Sequence, residues 1–215
     1  MKTIRYLFAL GLGSMAFTAV AQAGDARWQL GARATILTAD APPANDMTAV
    51  GFVARRAWRE GWYWGAALDL YGFDYEEPYK VLGIEVDPAV APLDGDNDST
   101  VLSAWIEREY GRSTSAWHWF WTAGVGYASI EADAVAGPTA IGGTFDIRTE
   151  AEDEIHILAS GGLRYDLGAH WWLEAALHAQ HQLLDYDLTD VVSGAQAEVS
   201  GQTPFGVSVG FGARF

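Results

Sequence analysis

Ionisable side chains recur at alternate positions within otherwise apolar segments of this 215-residue chain. Arg164, for example, would share one face of a strand with His156 and Asp166, because side chains two residues apart point the same way. The same alternation gives a one-faced set of Arg33, Asp69, Glu107, Glu109, Arg164, Glu174 and Arg214, with His118, His156, His178, Gln180 and Gln182. Buried charges must be paired. We therefore expect a salt-bridge and hydrogen-bond network, with a pore lining or a catalytic group as the alternative.

The histidines and serines offer little nucleophilic or metal chemistry. His178 and His181 are three residues apart, which places them on opposite faces of a strand, so they cannot chelate one metal ion there. Ser160 and Ser208 belong to the polar face, but no base is identifiable for either from spacing. We expect no enzyme and no cofactor, and a lipid-modifying hydrolase is the remaining catalytic alternative.

Carboxylates concentrate in two stretches that are expected to be loops, 74–99 and 131–154. Within the first, Asp94, Asp96 and Asp98 alternate as oxygen ligands suited to Ca²⁺. The stretch lacks the glycine and the distal glutamate of an EF-hand loop, so weak calcium binding competes with the simpler interpretation of solvated surface charge.

The net charge of −15 argues against a nucleic-acid partner, since phosphate binding needs a basic surface. The chain has no cysteine, which excludes disulfides, thiolate metal sites and thiol nucleophiles. Half of the residues are hydrophobic and ten are tryptophan, a composition that disordered acidic chains lack.

The elements that must position these groups are eight unusually long segments with a period of two. Soluble strands run about five to six residues, whereas membrane-spanning barrel strands need about nine to eleven. The segments are 27–38, 48–58, 62–73, 100–110, 117–130, 155–166, 171–186 and 203–215. We therefore predict an all-β fold, an eight-stranded antiparallel up-and-down transmembrane β-barrel.

The connections alternate between short and long. The short ones are 59–61, 111–116 and 167–170, and the long ones are 39–47, 74–99, 131–154 and 187–202. Outer-membrane barrels have short periplasmic turns and longer extracellular loops. This pattern predicts both termini on the periplasmic side.

The two faces of the predicted strands differ in a way that suits a membrane. In the last segment, Val207, Val209 and Phe211 oppose Ser208 and Gly210. The small and polar face must then point inward and the apolar face toward lipid. Tryptophans flank the short turns as a predicted periplasmic aromatic girdle, which comprises Trp28, Trp58, Trp62, Trp64, Trp117, Trp119, Trp121, Trp171 and Trp172.

The predicted interior would be plugged rather than open. Eight strands leave an interior about wide enough for side chains. Arg33 and Arg214 lie on strands that become neighbours when the barrel closes, so they need acidic partners from across it. Asp69 and Glu174 are available, although the sequence does not assign the pairs.

The first 23 residues are typical of a secretory signal peptide. Lys2 and Arg5 precede an apolar stretch, and Ala21-Gln22-Ala23 matches a small-x-small cleavage site. Residues 24–215 would then form one barrel domain of net charge −17, because the segment that is removed carries two positive charges and no negative one.

These features resemble the small outer-membrane β-barrel family, such as the OmpA membrane domain and OmpX-like proteins. The signal peptide, the eight segments and the ending Gly210-Phe211-Gly212-Ala213-Arg214-Phe215 carry the resemblance. It implies location in the cell outer membrane, contact with membrane lipid and lipopolysaccharide, and recognition of Phe211 and Phe215 by the barrel assembly machinery.

The fold alone does not define an activity, because it hosts adhesins, pores, enzymes and structural proteins. We expect a structural or surface-interaction role through the acidic extracellular loops, with an unknown extracellular partner. The alternatives are a narrow channel for small or apolar solutes, as in OmpW-like barrels, and the lipid-modifying hydrolase.

Overall fold

The computed structural model describes residues 28–38, 46–76, 78–87, 89, 94–111, 114–132, 134–150, 154–181, 186–199 and 202–215. The predicted signal peptide, 1–23, lies outside these residues. No helix in the described ranges is long and apolar enough to span a membrane.

Eight long antiparallel strands close into a barrel, which confirms the predicted fold class. In the order in which they pair around the wall, they are β1 (Trp28–Thr38), β2 (Met47–Arg59), β3 (Trp62–Glu76), β4 (Asp94–Tyr110), β5 (Trp117–Ala132), β8 (Glu154–Leu167), β9 (Trp171–His181) and β12 (Phe205–Arg214). The first and last strands pair with each other, so the barrel has no free edge.

The strand ends define two ends of the barrel. At one end, which we call the short-turn end, β2 and β3 are joined by Glu60 and Gly61. Gly61 has a φ of 65°, a left-handed conformation that glycine adopts without steric cost. The start of β1 meets the C-terminal residue here, because Trp28 and Phe215 exchange backbone hydrogen bonds of 2.9 and 3.2 Å. The opposite end is the loop end.

The barrel wall is apolar outside and polar inside, the reverse of a soluble barrel. Large outward side chains such as Leu102, Leu177 and Val209 are exposed, whereas Glu107 and Arg164 are 0% exposed. Outward-facing tryptophans lie around the short-turn end, as predicted, and Trp119 is 65% exposed.

The girdle prediction is wrong for Trp172, which is 1% exposed and lies inside the barrel. Trp171 and Trp172 are consecutive on β9, so only one of them can face outward. Trp171 is the outward one, and its ring stacks on Phe211 with centroids 5.2 Å apart.

The loop end carries secondary structure that the sequence analysis assigned to loops. Four short strands form a second sheet, the external sheet: β6 (Val135–Pro138), β7 (Thr144–Glu150), β10 (Tyr186–Asp190) and β11 (Gln196–Val199). A one-turn helix, α1 (Pro78–Val81), lies between β3 and β4. The seventh predicted segment, 171–186, is therefore wrong at its end, since β9 stops at His181 and Tyr186 begins β10.

An apolar cluster joins the barrel to the external sheet. From the barrel come inward residues near the loop end, including Leu37, Met47 and Val101. From the loops come Phe145 and Leu188, both at most 1% exposed. We call this cluster the apolar cap. It closes the loop end of the interior because side chains of the external sheet pack on inward side chains of the barrel, and burial of apolar area stabilises this arrangement.

Asp190 at the end of β10 holds the external sheet to its turn. Its carboxylate accepts hydrogen bonds from the backbone N–H groups of Asp146, Val192 and Ser193 and from the Ser193 hydroxyl. Burial alone would raise the pKa of Asp190, but these hydrogen bonds outweigh burial and lower the pKa below its usual value.

A lowered pKa in the folded state predicts acid sensitivity of this corner. The stabilisation is present above the ordinary aspartate pKa and is lost as the pH falls through the lower folded value. We expect the amide resonances of Val192 and Ser193 to shift together in NMR spectra only below the ordinary range. In Asp190→Asn this titration should be absent. A midpoint at or above the ordinary value would contradict the hydrogen-bonded carboxylate.

Candidate functional site

Arg164 on β8 is the centre of an ion-pair network inside the short-turn half of the barrel. Its guanidinium donates to three carboxylates from two other strands: Glu107 (2.8 Å), Glu174 (2.7 and 3.1 Å) and Glu109. Arg164 and Glu107 are both 0% exposed. Three carboxylates around one fully buried cation make this the most charge-dense point of the interior.

Arg55 on β2 completes the network from the opposite wall. Its Nη2 donates to both oxygens of Glu174, at 2.7 and 2.8 Å, and its Nε lies 2.9 Å from Glu107 Oε2. Glu107 and Glu174 therefore each bridge the two arginines. We name Arg55, Arg164, Glu107, Glu109 and Glu174 the central network.

The sequence analysis did not include Arg55 among the inward-facing residues. The signal was present, because Met47, Ala49, Gly51 and Val53 alternate toward Arg55 on one face of β2, and all are buried. Glu107, Glu109, Arg164 and Glu174 are the predicted residues that the structure brings together here.

Aromatic rings form the walls of the central network. The guanidinium of Arg55 lies 5.0 Å from the ring centroid of Trp172, and that of Arg164 lies 4.8 Å from Phe120 and 5.6 Å from Trp172. Trp172 fits because Gly31 and Gly212 face it, and a Cβ at either position would overlap its ring. Ring faces attract cations, so Trp172 stabilises the two arginines of the central network and is not part of the aromatic girdle.

A second ion pair joins Arg33 on β1 to Asp69 on β3, and it crosses the inner face of β2, which lies between these two strands. Arg33 donates to Asp69 with Nε (2.9 Å) and Nη2 (2.5 Å), in a two-point contact. Gly51 is the register partner of both residues and lies between them. A Cβ on Gly51 would overlap the Asp69 carboxylate, so the glycine opens the path that this pair needs.

Arg214 finds its partner near the short-turn end. Its Nη2 lies 2.7 Å from Asp166, and not near Asp69 or Glu174, the partners considered from the sequence. His118 lies between Asp166 (3.2 Å) and Glu109 (3.6 Å). The reason is height along the axis, because Arg214 is the last residue of β12 and meets only groups at that end.

Neutral polar pairs occupy the middle of the interior. Tyr71 accepts from Gln180 at 3.0 Å, and His178 Nε2 lies 2.6 Å from the Ser208 hydroxyl. Spacing along the chain identified no base for Ser208, because the predicted barrel made these two strands neighbours but did not give their register, which brings His178 of β9 beside Ser208 of β12. The pair is enclosed by the barrel, and Ser208 is buried.

The predicted calcium ligands do not lie in a loop. Asp94, Asp96 and Asp98 belong to β4 and pair with Glu76, Asp74 and Gly72 of β3. Two apolar-rich strands simply continue past the predicted boundaries at residues 73 and 100. Among the described residues, no group of three histidine, cysteine or acidic side chains could hold a metal ion. The side chains of Asp94 and Asp96 lie outside the described ones, so calcium binding stays a prediction.

The proposed assembly signal ends the last strand. Phe211 points outward on β12 against Trp171, and the backbone of Phe215 is paired with Trp28. Their recognition by assembly machinery stays a prediction.

Comparisons with known proteins give a fold and no closer relationship. No protein-family model matches the chain, and no curated protein matches it.

Solved outer-membrane proteins have a similar structure. One is OprG from Pseudomonas aeruginosa, with a TM-score of 0.58 and 12% identity over 88% of this chain and 96% of that one. Another is Neisserial surface protein A, with a TM-score of 0.50 and 10% identity over 87% of this chain and 96% of that one. Together with the closed barrel, these likenesses confirm the fold that the sequence resemblance implied: this chain has the fold of the small eight-stranded outer-membrane β-barrels.

Proposed function

We propose that this chain is a non-enzymatic integral outer-membrane protein with a closed barrel, which anchors the external sheet and presents it for interactions at the cell surface. The single observation that carries the proposal is the central network. Arg55, Arg164 and Glu107 are at most 2% exposed, so the charged side chains fill the interior at their level instead of lining an aqueous path.

The apolar cap supports the same proposal at the loop end. It places Phe145 and Leu188 over the inward residues Leu37 and Met47. A solute would have to displace both the apolar cap and the central network to cross the barrel. A barrel that only anchors the external sheet works with both the apolar cap and the central network in place.

The external sheet offers the surface for interaction. Besides the buried Asp190, its strands carry one cation, Arg148, against four carboxylates, Asp146, Glu150, Asp187 and Glu198. Apolar side chains are exposed at its hairpin ends, where Ile141 is 94% exposed. A partner of this surface would be cationic, since like charges repel and opposite charges steer association.

A narrow channel is the second candidate, and one observation favours it. Buried polar atoms in the interior, the Thr35 hydroxyl and both ring nitrogens of His156, have no hydrogen-bond partner among the residues that the structure describes. Such atoms are usually satisfied by water. Internal water at this level would be the starting point of a conducting path.

The hydrolase alternative has the Ser208–His178 contact in its favour and its position against it. A nucleophile facing the barrel interior is separated from membrane lipid by the wall. Lipopolysaccharide and membrane lipid remain proposed as surroundings of the outward face, and the assembly machinery as the reader of Phe211 and Phe215.

Location and orientation can be tested together because the chain has no cysteine. Ile141→Cys places a thiol at the loop end, and Ala169→Cys places a matched exposed thiol in a short turn. A membrane-impermeant maleimide should label Ile141→Cys in intact cells, and Ala169→Cys only after lysis. Labelling of Ala169→Cys in intact cells, or recovery of the protein in the soluble periplasmic fraction, would contradict the proposal.

A further inference from the structure

Three arginines point outward at the short-turn end, on the same side of the barrel. Arg56 and Arg59 belong to β2 and Arg108 belongs to β4, and each lies on the outer side of the wall beside aromatic rings. The opposite side of this end, formed by β5, β8, β9 and β12, presents Trp117, Trp119, Trp171 and Phe211 without an outward arginine on those strands. Among the described strands, the outward arginines of this end are therefore confined to one side.

The Trp62 ring contacts two of these cations. The guanidinium carbon of Arg59 is 5.7 Å from the Trp62 ring centroid, and that of Arg108 is 5.2 Å from it. Arg108 is further held by a hydrogen bond of 2.7 Å to the carbonyl oxygen of Glu60 and by the ring of Tyr110 at 5.1 Å. Ring stacking and one backbone hydrogen bond orient the guanidiniums but leave most of their N–H donors unused.

The absence of carboxylate partners distinguishes these arginines from the others. Inside the barrel, Arg33, Arg55, Arg164 and Arg214 all form ion pairs, and on the external sheet Arg148 lies 3.7 Å from Asp146. Across the described ranges, no carboxylate lies within ion-pair distance of Arg59 or Arg108. Glu60, the acidic residue in the adjoining turn, offers Arg108 its backbone carbonyl only.

We propose that Arg59 and Arg108, which both lie beside the Trp62 ring, bind the phosphate of an anionic phospholipid in the leaflet at the short-turn end. Amphipathic tryptophan rings lie at the headgroup level of a membrane, so these guanidiniums lie at the depth of lipid phosphates. Planar guanidiniums match phosphate oxygens with paired hydrogen bonds. Trp58 and Trp62 supply apolar surface for the glycerol and upper acyl regions of the same lipid.

This inference depends on the barrel spanning a membrane and not on any interaction of the external sheet. If the external sheet binds no partner, the lipid site at the short-turn end is unaffected. If the barrel shows no lipid selectivity, the proposed surface role of the external sheet is unaffected. The ligand could in principle be free phosphate instead of a lipid phosphate, and the experiment separates the two.

The test is native mass spectrometry of the refolded full chain released from vesicles that contain equal amounts of phosphatidylglycerol and phosphatidylcholine. We expect phosphatidylglycerol to be retained in preference to phosphatidylcholine. Arg59→Gln and Arg108→Gln should each weaken its retention about fivefold, and the double variant about 25-fold, as expected for two basic side chains near a membrane surface. Arg148→Gln removes a positive charge at the other end and should behave as the unmodified protein does.

Three results would overturn the proposal. They are equal retention of the two lipids, unchanged phosphatidylglycerol retention in the double variant, and displacement of the lipid by inorganic phosphate at matched concentration. The single variants carry the test if the double variant does not fold, and gel mobility of unboiled samples verifies folding in each case.

Discussion

Replacing Arg164 with methionine is expected to lower the free energy of unfolding by about 3–5 kcal/mol. The substitution leaves Glu107, Glu109 and Glu174 close together in a water-poor interior with one fewer cation. Removing one partner of a buried ion pair is costly because the remaining charge stays desolvated. The measurement is urea unfolding of refolded protein in lipid vesicles, followed by gel mobility of unboiled samples.

Arg148→Met is the matched control for this prediction. Arg148 is 62% exposed beside Asp146, so its loss should change the unfolding free energy by less than about 1 kcal/mol. A further variant, Arg164→Met with Glu174→Met, should recover part of the loss, because residues of one network are not additive. Equal effects of the two single methionine variants would mean that the central network does not stabilise the barrel.

Gly51→Ala is expected to destabilise the barrel by about 1–3 kcal/mol, an unusually large effect for one added methyl group. The new Cβ would overlap the carboxylate of Asp69 and force it away from Arg33. Two buried charges would then lose part of their pairing. The same vesicle unfolding measurement applies, and Asp69→Asn in the Gly51→Ala background should add little further loss.

Gly210→Ala is the control, since Gly210 is the register partner of Arg33 on its other side. A Cβ at Gly210 would come no closer than 3.4 Å to its neighbours. We expect the unfolding free energy of Gly210→Ala to change by less than about 0.5 kcal/mol. Similar losses at both glycines would show that the position of Asp69 does not explain the need for Gly51.

Strand existence and the inward face were readable from the sequence because both follow from a two-residue period. Alternation placed Glu107, Arg164 and Glu174 on the polar faces of their strands, and the structure places all three inside. The two-residue period also shows that Trp171 and Trp172 face opposite ways, but the girdle prediction placed both outside because it used only their position beside a short turn.

Pairing inside the barrel could not be predicted, because alternation gives the face of a residue and not its height. Arg214 and Asp166 meet at the short-turn end, and Arg33 and Asp69 meet across Gly51. Both pairings depend on the stagger between neighbouring strands, which no single strand encodes. Arg55 is different, because it shares the buried face of β2 with Gly51 and Val53 and alternation along that one strand is enough to place it inside.

The external sheet was missed because its strands are short. β6 and β11 have four residues each and pair in hairpins with β7 and β10, and the two hairpins form one sheet only through the pairing of β7 with β10, which are distant in sequence. Carboxylates and turn residues in the same stretches indicate loops. The same compositional signal misplaced Asp94–Asp98, which extend β4 beyond its apolar part.

The most direct test of the closed interior is conductance of the purified protein in planar bilayers. With the central network intact and the apolar cap in place, we expect no steady open current and only rare, small openings. Glu107→Ala leaves Arg55 and Arg164 with one fewer carboxylate and empties space between them, so it should increase the openings. A stable and frequent conductance in the unmodified protein would contradict the closed barrel and favour the channel.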